Sequence, residues 1–150
     1  MNILVVIPAR GGSKGIPRKN LRLLGEKPLL YYSINNALNS KYNLDVFVSS
    51  EDDEILNTAQ KFGAKTHKRD LNIADDKTTL DPVIYDCYTH AKLSEKKEYD
   101  LIITIQPTSP LLLTKSLDSA IDRMLSSTSI DTIIAAKDAT HLSWIKENNQ

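Results

Sequence analysis

The sequence lacks several features that would each place it in a well-defined class of protein. It has one cysteine, Cys87, in 150 residues, which excludes an internal disulfide framework. Nineteen basic residues balance nineteen acidic ones, so no net charge draws the chain to nucleic acid or to an anionic membrane. No apolar run approaches the ~20 residues that span a bilayer, and the N-terminus lacks the pattern of a signal peptide. We therefore predict a cytoplasmic protein with neither nucleic acid nor membrane as a partner.

The chain does have the apolar content for one core, since 41% of its residues are hydrophobic. Apolar runs typical of buried parallel strands alternate with amphipathic segments typical of helices. The predicted strands are 2–7, 44–50, 64–69, 99–106 and 130–137, and the predicted helices are 28–39, 51–62, 78–93 and 114–125. Ser50 is the predicted cap of the second helix, and Gly63 is predicted to end it. This alternation predicts one α/β domain over residues 1–150, a mostly parallel sheet flanked by helices, with ligands beyond the carboxyl ends of the strands.

The loop after the first predicted strand, "PARGGSKGIPRKN", combines glycines with cations. The glycines are Gly11, Gly12 and Gly15, and the cations are Arg10, Lys14, Arg18 and Lys19. Glycine lets a backbone turn sharply and expose its N–H groups, and arginine and lysine supply charge-assisted donors. Because phosphate oxygens are bound by both kinds of donor, the loop favours a polyphosphate ligand over a solvated basic turn.

Two common phosphate loops do not fit this segment. A Walker loop needs Gly-Lys-Ser/Thr, whereas here Ser13 precedes Lys14. The dinucleotide fingerprint G-x-G-x-x-G is also missing, which counts against a dehydrogenase-type domain, the alternative from another class of enzyme. If the segment binds phosphate, as its glycines and cations favour, it is predicted to do so as a loop of a different type.

Other suggestive residues have ordinary interpretations. His67, His90 and His141 are scattered without metal-ligand spacing, which favours surface or capping roles. Cys87 lies on an apolar helix stripe and is predicted to be a core residue. Trp144 fits either a pocket or an oligomer contact.

Five stretches, in order along the chain, resemble one known family. They are "IPARGGSKGIPRKNL", "GEKPLLYYSI", "VSSEDDEI", "KRDLNIADDKTTLD" and "QPTSPL". Together they are similar to the acylneuraminate cytidylyltransferases, which activate sialic acid and related nonulosonic acids as CMP-sugars. The resemblance implies a three-layer Rossmann-like nucleotidyltransferase fold, CTP as substrate, Mg²⁺ as cofactor and release of pyrophosphate.

The resemblance also implies a set of site residues. The implied catalytic residues are Arg10, Lys14 and Lys19. The implied nucleotide contacts are Ala9, Arg10, Gly11, Gly12, Ser13, Lys14, Asn20, Arg69, Thr78 and Thr79. The implied sugar contacts are Gln106, Thr108 and Ser109. The residues alone also allow Thr78 or Thr79 to be a helix cap.

The chain departs from the family's pattern at two positions. Relatives often have a small hydroxyl residue in place of Lys77, and frequently an arginine in place of Leu112, a change that bears on the choice of acceptor.

Relatives continue beyond the point that corresponds to residue 150. We therefore expect the chain to be the N-terminal part of a longer, homodimeric enzyme whose Mg²⁺-binding aspartates lie beyond residue 150. The alternatives are a truncated module that binds CTP without turnover, and an enzyme that activates the eight-carbon acid KDO. The "GGSKG" loop favours the nine-carbon acids, and the sequence leaves the choice among those acids open.

Overall fold

Four parallel strands form the centre of the molecule. The computed structural model describes residues 1–13, 15–74 and 78–136. The sheet contains β1 (Ile3–Pro8), β4 (Leu44–Ser50), β5 (Lys65–Lys68) and β6 (Leu101–Thr104), in the order β5-β4-β1-β6. All neighbouring pairs are parallel, with Val5 of β1 opposite Val46 of β4 and Ile103 of β6. The predicted parallel sheet is confirmed.

In the described part of the chain, four α-helices cover the two faces of this sheet. They are α1 (Leu29–Leu38), α2 (Asp53–Lys61), α3 (Leu80–Glu95) and α4 (Thr114–Leu125). Side chains alternate along β1, so Ile3, Val5 and Ile7 pack in the larger core with residues of α1, α2 and α4. Leu4 and Val6 pack on the opposite face in a smaller core with α3. The result is the three-layer α/β fold that the alternation of elements predicts.

Two features of the fold differ from the prediction. A short antiparallel pair, β2 (Leu23–Leu24) with β3 (Lys27–Pro28), follows the glycine-rich loop and was not predicted. The predicted strand at 130–137 is wrong for residues 130–136, which form no strand. Ile134 in this segment is exposed, and residue 137 lies outside the described residues. An apolar run becomes a strand only where a neighbour pairs its backbone, and none of the described strands pairs with this one.

The start of α2 also differs from the prediction, because Asp52 rather than Ser50 caps this helix. The Asp52 carboxylate accepts hydrogen bonds from the amides of Glu54 and Ile55, at 2.9 and 3.1 Å. Ser50 is held in β4 by its pairing with Lys68. The helix ends before Gly63, which has a φ of 88°, as its glycine predicts.

Cys87 is fully buried in the smaller core beside Leu4 and Phe47, as predicted. Burial raises the pKa of its thiol to about 12, so the thiol is un-ionised at neutral pH and is no nucleophile.

A surface or capping role was predicted for His67, and the surface role is wrong. His67 is buried against α3, where its Nε2 lies 2.6 Å from Asp86 Oδ2 and its ring stacks on that of His90. Burial and the neighbouring His67 lower the pKa of His90. His141 and Trp144 lie outside the described residues.

Candidate active site

A cavity of about 300 Å³ opens at the carboxyl ends of β1 and β6. The chain builds β4 and β5 on one side of β1 and then returns to place β6 on the other side. Ligands of open α/β sheets bind at such a point, where the strand order reverses. The cavity is lined by Pro8, Arg10, Ser13, Lys19, Asn20, Arg69, Ile73, Ala74, Thr78, Thr79, Leu80, Val83, Gln106, Pro107 and Thr108.

Three cations line this cavity, and no carboxylate is found among its described lining residues. Arg10 is half-buried and lies two residues after the end of β1, and Lys19 begins a single 3₁₀ turn, Lys19–Leu21. Arg69 follows β5 and is almost fully buried. A concave site with cations on its walls concentrates positive potential, so the cavity suits an anionic ligand.

Asn20 holds the returning part of the loop against the end of β1. Its side chain is buried, and its Nδ2 donates to the Arg10 carbonyl at 2.9 Å. The 3₁₀ turn that carries Lys19 is thereby tied to the backbone of Arg10. Two cations that lie nine positions apart in the sequence therefore occupy one wall of the cavity.

Gly11 is fixed by contacts with the segment between β4 and α2. Its amide donates to Glu51 Oε1 at 2.6 Å, and its Cα packs closely on Asp52. The other carboxylate oxygen of Glu51 accepts from Arg69 Nη2 at 2.9 Å. Glu51 thus links the beginning of the glycine-rich loop to the arginine on the opposite wall.

Arg18 does not line the cavity. Its guanidinium binds Asp52 at 3.0 Å and Glu54 at 2.6 Å, while its backbone has the left-handed φ of 54° that non-glycine residues rarely adopt. Burial disfavours ionisation of Asp52, but the hydrogen bonds from Arg18 and from the helix amides outweigh it and lower the pKa of this carboxyl. Arg18 therefore anchors the loop to α2.

The N-terminus of α3 forms a further wall with both hydroxyl and apolar groups. Thr78 and Thr79 contribute the hydroxyls, and Thr79 occupies the N-cap position although its side chain makes no capping hydrogen bond. Leu80 and Val83 add apolar surface. Thr79 is thus the N-cap residue of α3, as the cap interpretation predicts, but its hydroxyl does not make the capping hydrogen bond.

Gln106, Pro107 and Thr108 line the cavity beyond β6. Ser109 lies outside it, where its amide donates to the Gln106 carbonyl at 3.1 Å and closes a turn. Leu112, one of the two departures from the family's pattern, packs on the larger core instead of lining the cavity, and its carbonyl accepts from Asn36.

The structure brings nine of the predicted site residues to this cavity. They are Arg10, Ser13, Lys19, Asn20, Arg69, Thr78, Thr79, Gln106 and Thr108. Ala9, Gly11, Gly12 and Ser109 do not line it, and Lys14 and Lys77 lie outside the described residues. Ala9 is fully buried beneath the loop.

The apolar lining residues Pro8, Ile73, Ala74, Leu80 and Val83 were not predicted as site residues. In a sequence, apolar residues at the ends of helices and strands are interpreted as core residues. Only their position beside the predicted polar site residues could have indicated that they line a ligand cavity.

The described residues do not fit a metal site of their own. No group of three His, Cys, Asp or Glu side chains in 1–13, 15–74 and 78–136 could hold a metal ion. A hard cation such as Mg²⁺ prefers oxygen ligands, and the polar residues of this cavity are mainly cations, hydroxyls and amides. No helix among these residues is long and apolar enough to cross a bilayer.

The close approach of the loop to α2 makes a prediction about two neighbouring glycines. A Cβ on Gly11 would lie 2.5 Å from Asp52 Oδ2, so Gly11→Ala forces a displacement, and we expect it to lower the free energy of unfolding by about 1–3 kcal/mol. Gly12→Ala is the matched control, because a Cβ there meets no described atom within 4 Å, and we expect a change within ~0.5 kcal/mol. Urea unfolding of both variants measures the difference, and equal effects would contradict the packing of Gly11 on Asp52.

Comparisons with known proteins agree with this architecture. The chain is 38% identical to the pseudaminic acid cytidylyltransferase of Campylobacter jejuni, over all of this chain and 66% of that protein. It is 34% identical to the N-acylneuraminate cytidylyltransferase A of Danio rerio, over 95% of this chain and 32% of that protein. The chain thus spans two thirds or less of the length of these relatives.

The fold is shared by a solved structure of CMP:2-keto-3-deoxy-manno-octonic acid synthetase complexed with CTP. It superposes with a TM-score of 0.70 at 23% identity, over 87% of this chain and 50% of that one. The sequence model of the family described as cytidylyltransferase matches residues 4–148. This chain therefore belongs to the cytidylyltransferase family.

Proposed function

We propose that the chain binds CTP in the cavity at the ends of β1 and β6. In this proposal it is the N-terminal, nucleotide-binding part of an enzyme that transfers CMP to a sialic-acid-like nonulosonic acid and releases pyrophosphate. The observation that carries the proposal is the convergence of three cations, with no carboxylate among the described lining residues, on a cavity at the reversal of strand order. Membership of the cytidylyltransferase family supports the choice of CTP.

The triphosphate would lie along the wall formed by Arg10, Ser13 and Lys19. In the reaction a hydroxyl group of the acid gives up its proton to solvent as its oxygen bonds to the α-phosphorus of CTP. The bond from that phosphorus to the oxygen bridging to the β-phosphorus breaks, and its electron pair leaves with pyrophosphate. Negative charge then grows on the phosphoryl oxygens and on the departing pyrophosphate. Cations held in place beforehand stabilise that charge without having to reorganise, so Arg10 and Lys19 are the proposed catalytic residues. Lys14, outside the described residues, is proposed for the same role.

Cytosine and ribose would lie against the opposite wall. Arg69 and the hydroxyls of Thr78 and Thr79 supply donors and acceptors there, and Leu80 and Val83 supply apolar surface. A few placed polar groups on an apolar lining are typical of small-molecule sites. Asn20 would act mainly by holding the loop, through its bond to the Arg10 carbonyl.

The acceptor would approach from the end of β6, where Gln106 and Thr108 are exposed. An amide and a hydroxyl can bind the carboxylate and hydroxyls of a sugar acid. The relatives are named for pseudaminic acid, N-acylneuraminate and N,N'-diacetyllegionaminic acid, which supports a nonulosonic acid as the acceptor class. Ser109 stays a candidate acceptor contact just outside the cavity.

Three finer points belong to the same proposal. Mg²⁺ would be the cofactor, bound by the phosphates of CTP and by residues other than the described ones, which do not fit a metal site. The longer protein would be a homodimer. It would act in the cytoplasm, a compartment in which a single unpaired thiol such as Cys87 is ordinary.

Nucleotide selectivity tests the proposed ligand. At a hundredfold excess over its Kd, a ligand stabilises the native state by about 2.7 kcal/mol, which in a chain of this size raises the Tm by roughly 5–10 °C. We expect CTP to give such a shift in a thermal unfolding assay, and ATP, GTP and NAD to give clearly smaller ones. Equal shifts with CTP, ATP and GTP would exclude a base-selective pocket, and a shift with NAD alone would support a dinucleotide domain instead.

Two arginines of the loop allow a matched test of where the triphosphate lies. Arg10→Lys keeps the charge but loses the planar guanidinium that can bind two oxygens, and we expect the Kd for CTP to rise at least ~10-fold. Arg18→Lys is the control, because Arg18 is turned toward Asp52 and Glu54, and we expect less than a threefold change. Titration calorimetry with CTP measures both. Equally mild effects would mean that the loop acts as a diffuse positive patch.

A binding module without turnover is the second candidate for this chain by itself. It is favoured by the 66% coverage of the Campylobacter jejuni relative and by the lack of a fitting metal site among the described residues. A pyrophosphate-release assay with CTP, Mg²⁺ and a panel of nonulosonic acids separates the two candidates. If the chain binds CTP but releases no pyrophosphate from it with any of these acids present, the chain by itself is a binding module. The KDO-type alternative rests on the fold alone, since that solved structure is only 23% identical.

A further inference from the structure

One carboxylate outside the cavity contacts two parts of its wall at once. Glu51 is the residue that follows β4, and it does not line the cavity. Its Oε1 accepts from the Gly11 amide at 2.6 Å, and its Oε2 accepts from Arg69 Nη2 at 2.9 Å. The side chains of Arg69 and Glu51 are only 4% and 12% exposed. Both oxygens of a nearly buried carboxylate are therefore used to hold groups of the site.

The neighbouring acidic residues behave differently. Asp52 caps α2 and binds Arg18. Asp53 and Glu54 are mostly exposed, and they pair with Lys68 and Arg18 at the surface. Glu51 is thus the member of the acidic segment 51–54 that is turned toward the cavity residues, although nothing in the local sequence distinguishes it from the other three.

The pairing with Glu51 also determines which part of Arg69 remains for a ligand. An ion pair with this little exposure keeps its geometry, because separating it would leave an uncompensated charge in a poorly solvated place. Glu51 binds Nη2, while the buried Nε of Arg69 has no hydrogen-bond partner among the described residues. A buried donor without a partner is costly unless a ligand or water completes it. Nε has almost no accessible surface and is closed to a ligand here, so Glu51 determines how the rest of the Arg69 guanidinium faces the cavity.

We propose that Glu51 is a positioning residue for the nucleotide. It orients the Arg69 guanidinium at the cavity wall toward the base or ribose, and it holds the Gly11 amide so that the loop is placed for the triphosphate. In this arrangement Gly11 contributes to binding by fixing the loop, and the phosphates are left to the amides and side chains beyond it. This inference rests on the proposed binding of CTP.

Glu51→Gln tests the proposal with little change of shape. A carboxylate accepts with both oxygens, whereas an amide accepts with one and presents an NH₂ group to the other partner. In either orientation of the new side-chain amide, its NH₂ group faces an N–H donor, either the Gly11 amide or Arg69 Nη2, and that hydrogen bond is lost. We expect titration calorimetry to show at least ~10-fold weaker binding of CTP. Glu54→Gln is the matched control, since the Glu54 side chain is 69% exposed and contacts Arg18, and we expect less than a twofold change.

A double-mutant cycle separates positioning from a general loss of structure. If Glu51 acts largely through Arg69, Glu51→Gln should cost less than ~3-fold in CTP affinity when Arg69 is already replaced in Arg69→Met. Equal losses in both backgrounds would overturn the inference that Glu51 positions Arg69, and unchanged CTP binding in Glu51→Gln alone would overturn both roles proposed for Glu51. If the unsubstituted chain fails to bind CTP, the proposed function fails and the inference falls with it.

Hydrogen exchange of the unsubstituted chain keeps the inference testable even if a variant does not fold. The Gly11 amide is bonded to Glu51 without any ligand. We expect its exchange to be slow in the free chain and to stay slow when CTP is added. Rapid exchange of this amide in the free chain would overturn the inference.

Discussion

The candidate site depends on the burial of β1 on both faces and its pairing along both edges. Ile3 to Ile7 are essentially inaccessible, and β4 and β6 supply hydrogen-bonding partners on either side. A strand held in this way has little freedom to shift, because any slip would break two ladders and expose two cores. Arg10 lies two residues beyond this strand. The backbone position of Arg10 is therefore set by a strand that has little freedom to move.

The cations of the loop are divided among different tasks by tertiary contacts. Arg10 and Lys19 turn into the cavity, whereas Arg18 turns to the carboxylates at the start of α2. The acidic segment 51–54 is divided in the same way, since Asp52 and Glu54 bind Arg18 while Glu51 binds inward. A chain with no net charge thus builds a local positive site, because the carboxylates of the segment 51–54 hold the loop from behind and are not among the described residues that line the cavity.

The polar groups of the cavity come from three separate parts of the chain. The loop after β1, the start of α3 and the turn after β6 each supply a wall, and a parallel sheet brings them to one edge. In the proposed function these three walls would meet the phosphates, the base and the acceptor. Such a division would suit a reaction in which two different substrates meet at one phosphorus atom.

The sequence by itself determined the strand and helix alternation and the parallel sheet, which follow from local hydrophobic periodicity and the positions of turn residues. A resemblance to a known family, and not a local pattern, implied nine of the residues that meet at the cavity. Tertiary structure alone decided which carboxylate faces inward, which arginine is used as an anchor, that Asp52 caps α2, and that residues 130–136 form no strand. The reason is physical: an ion pair or a strand partner depends on groups far apart in the chain, and neither the segment 51–54 nor the run at 130–136 contains within itself the partner that settles its conformation.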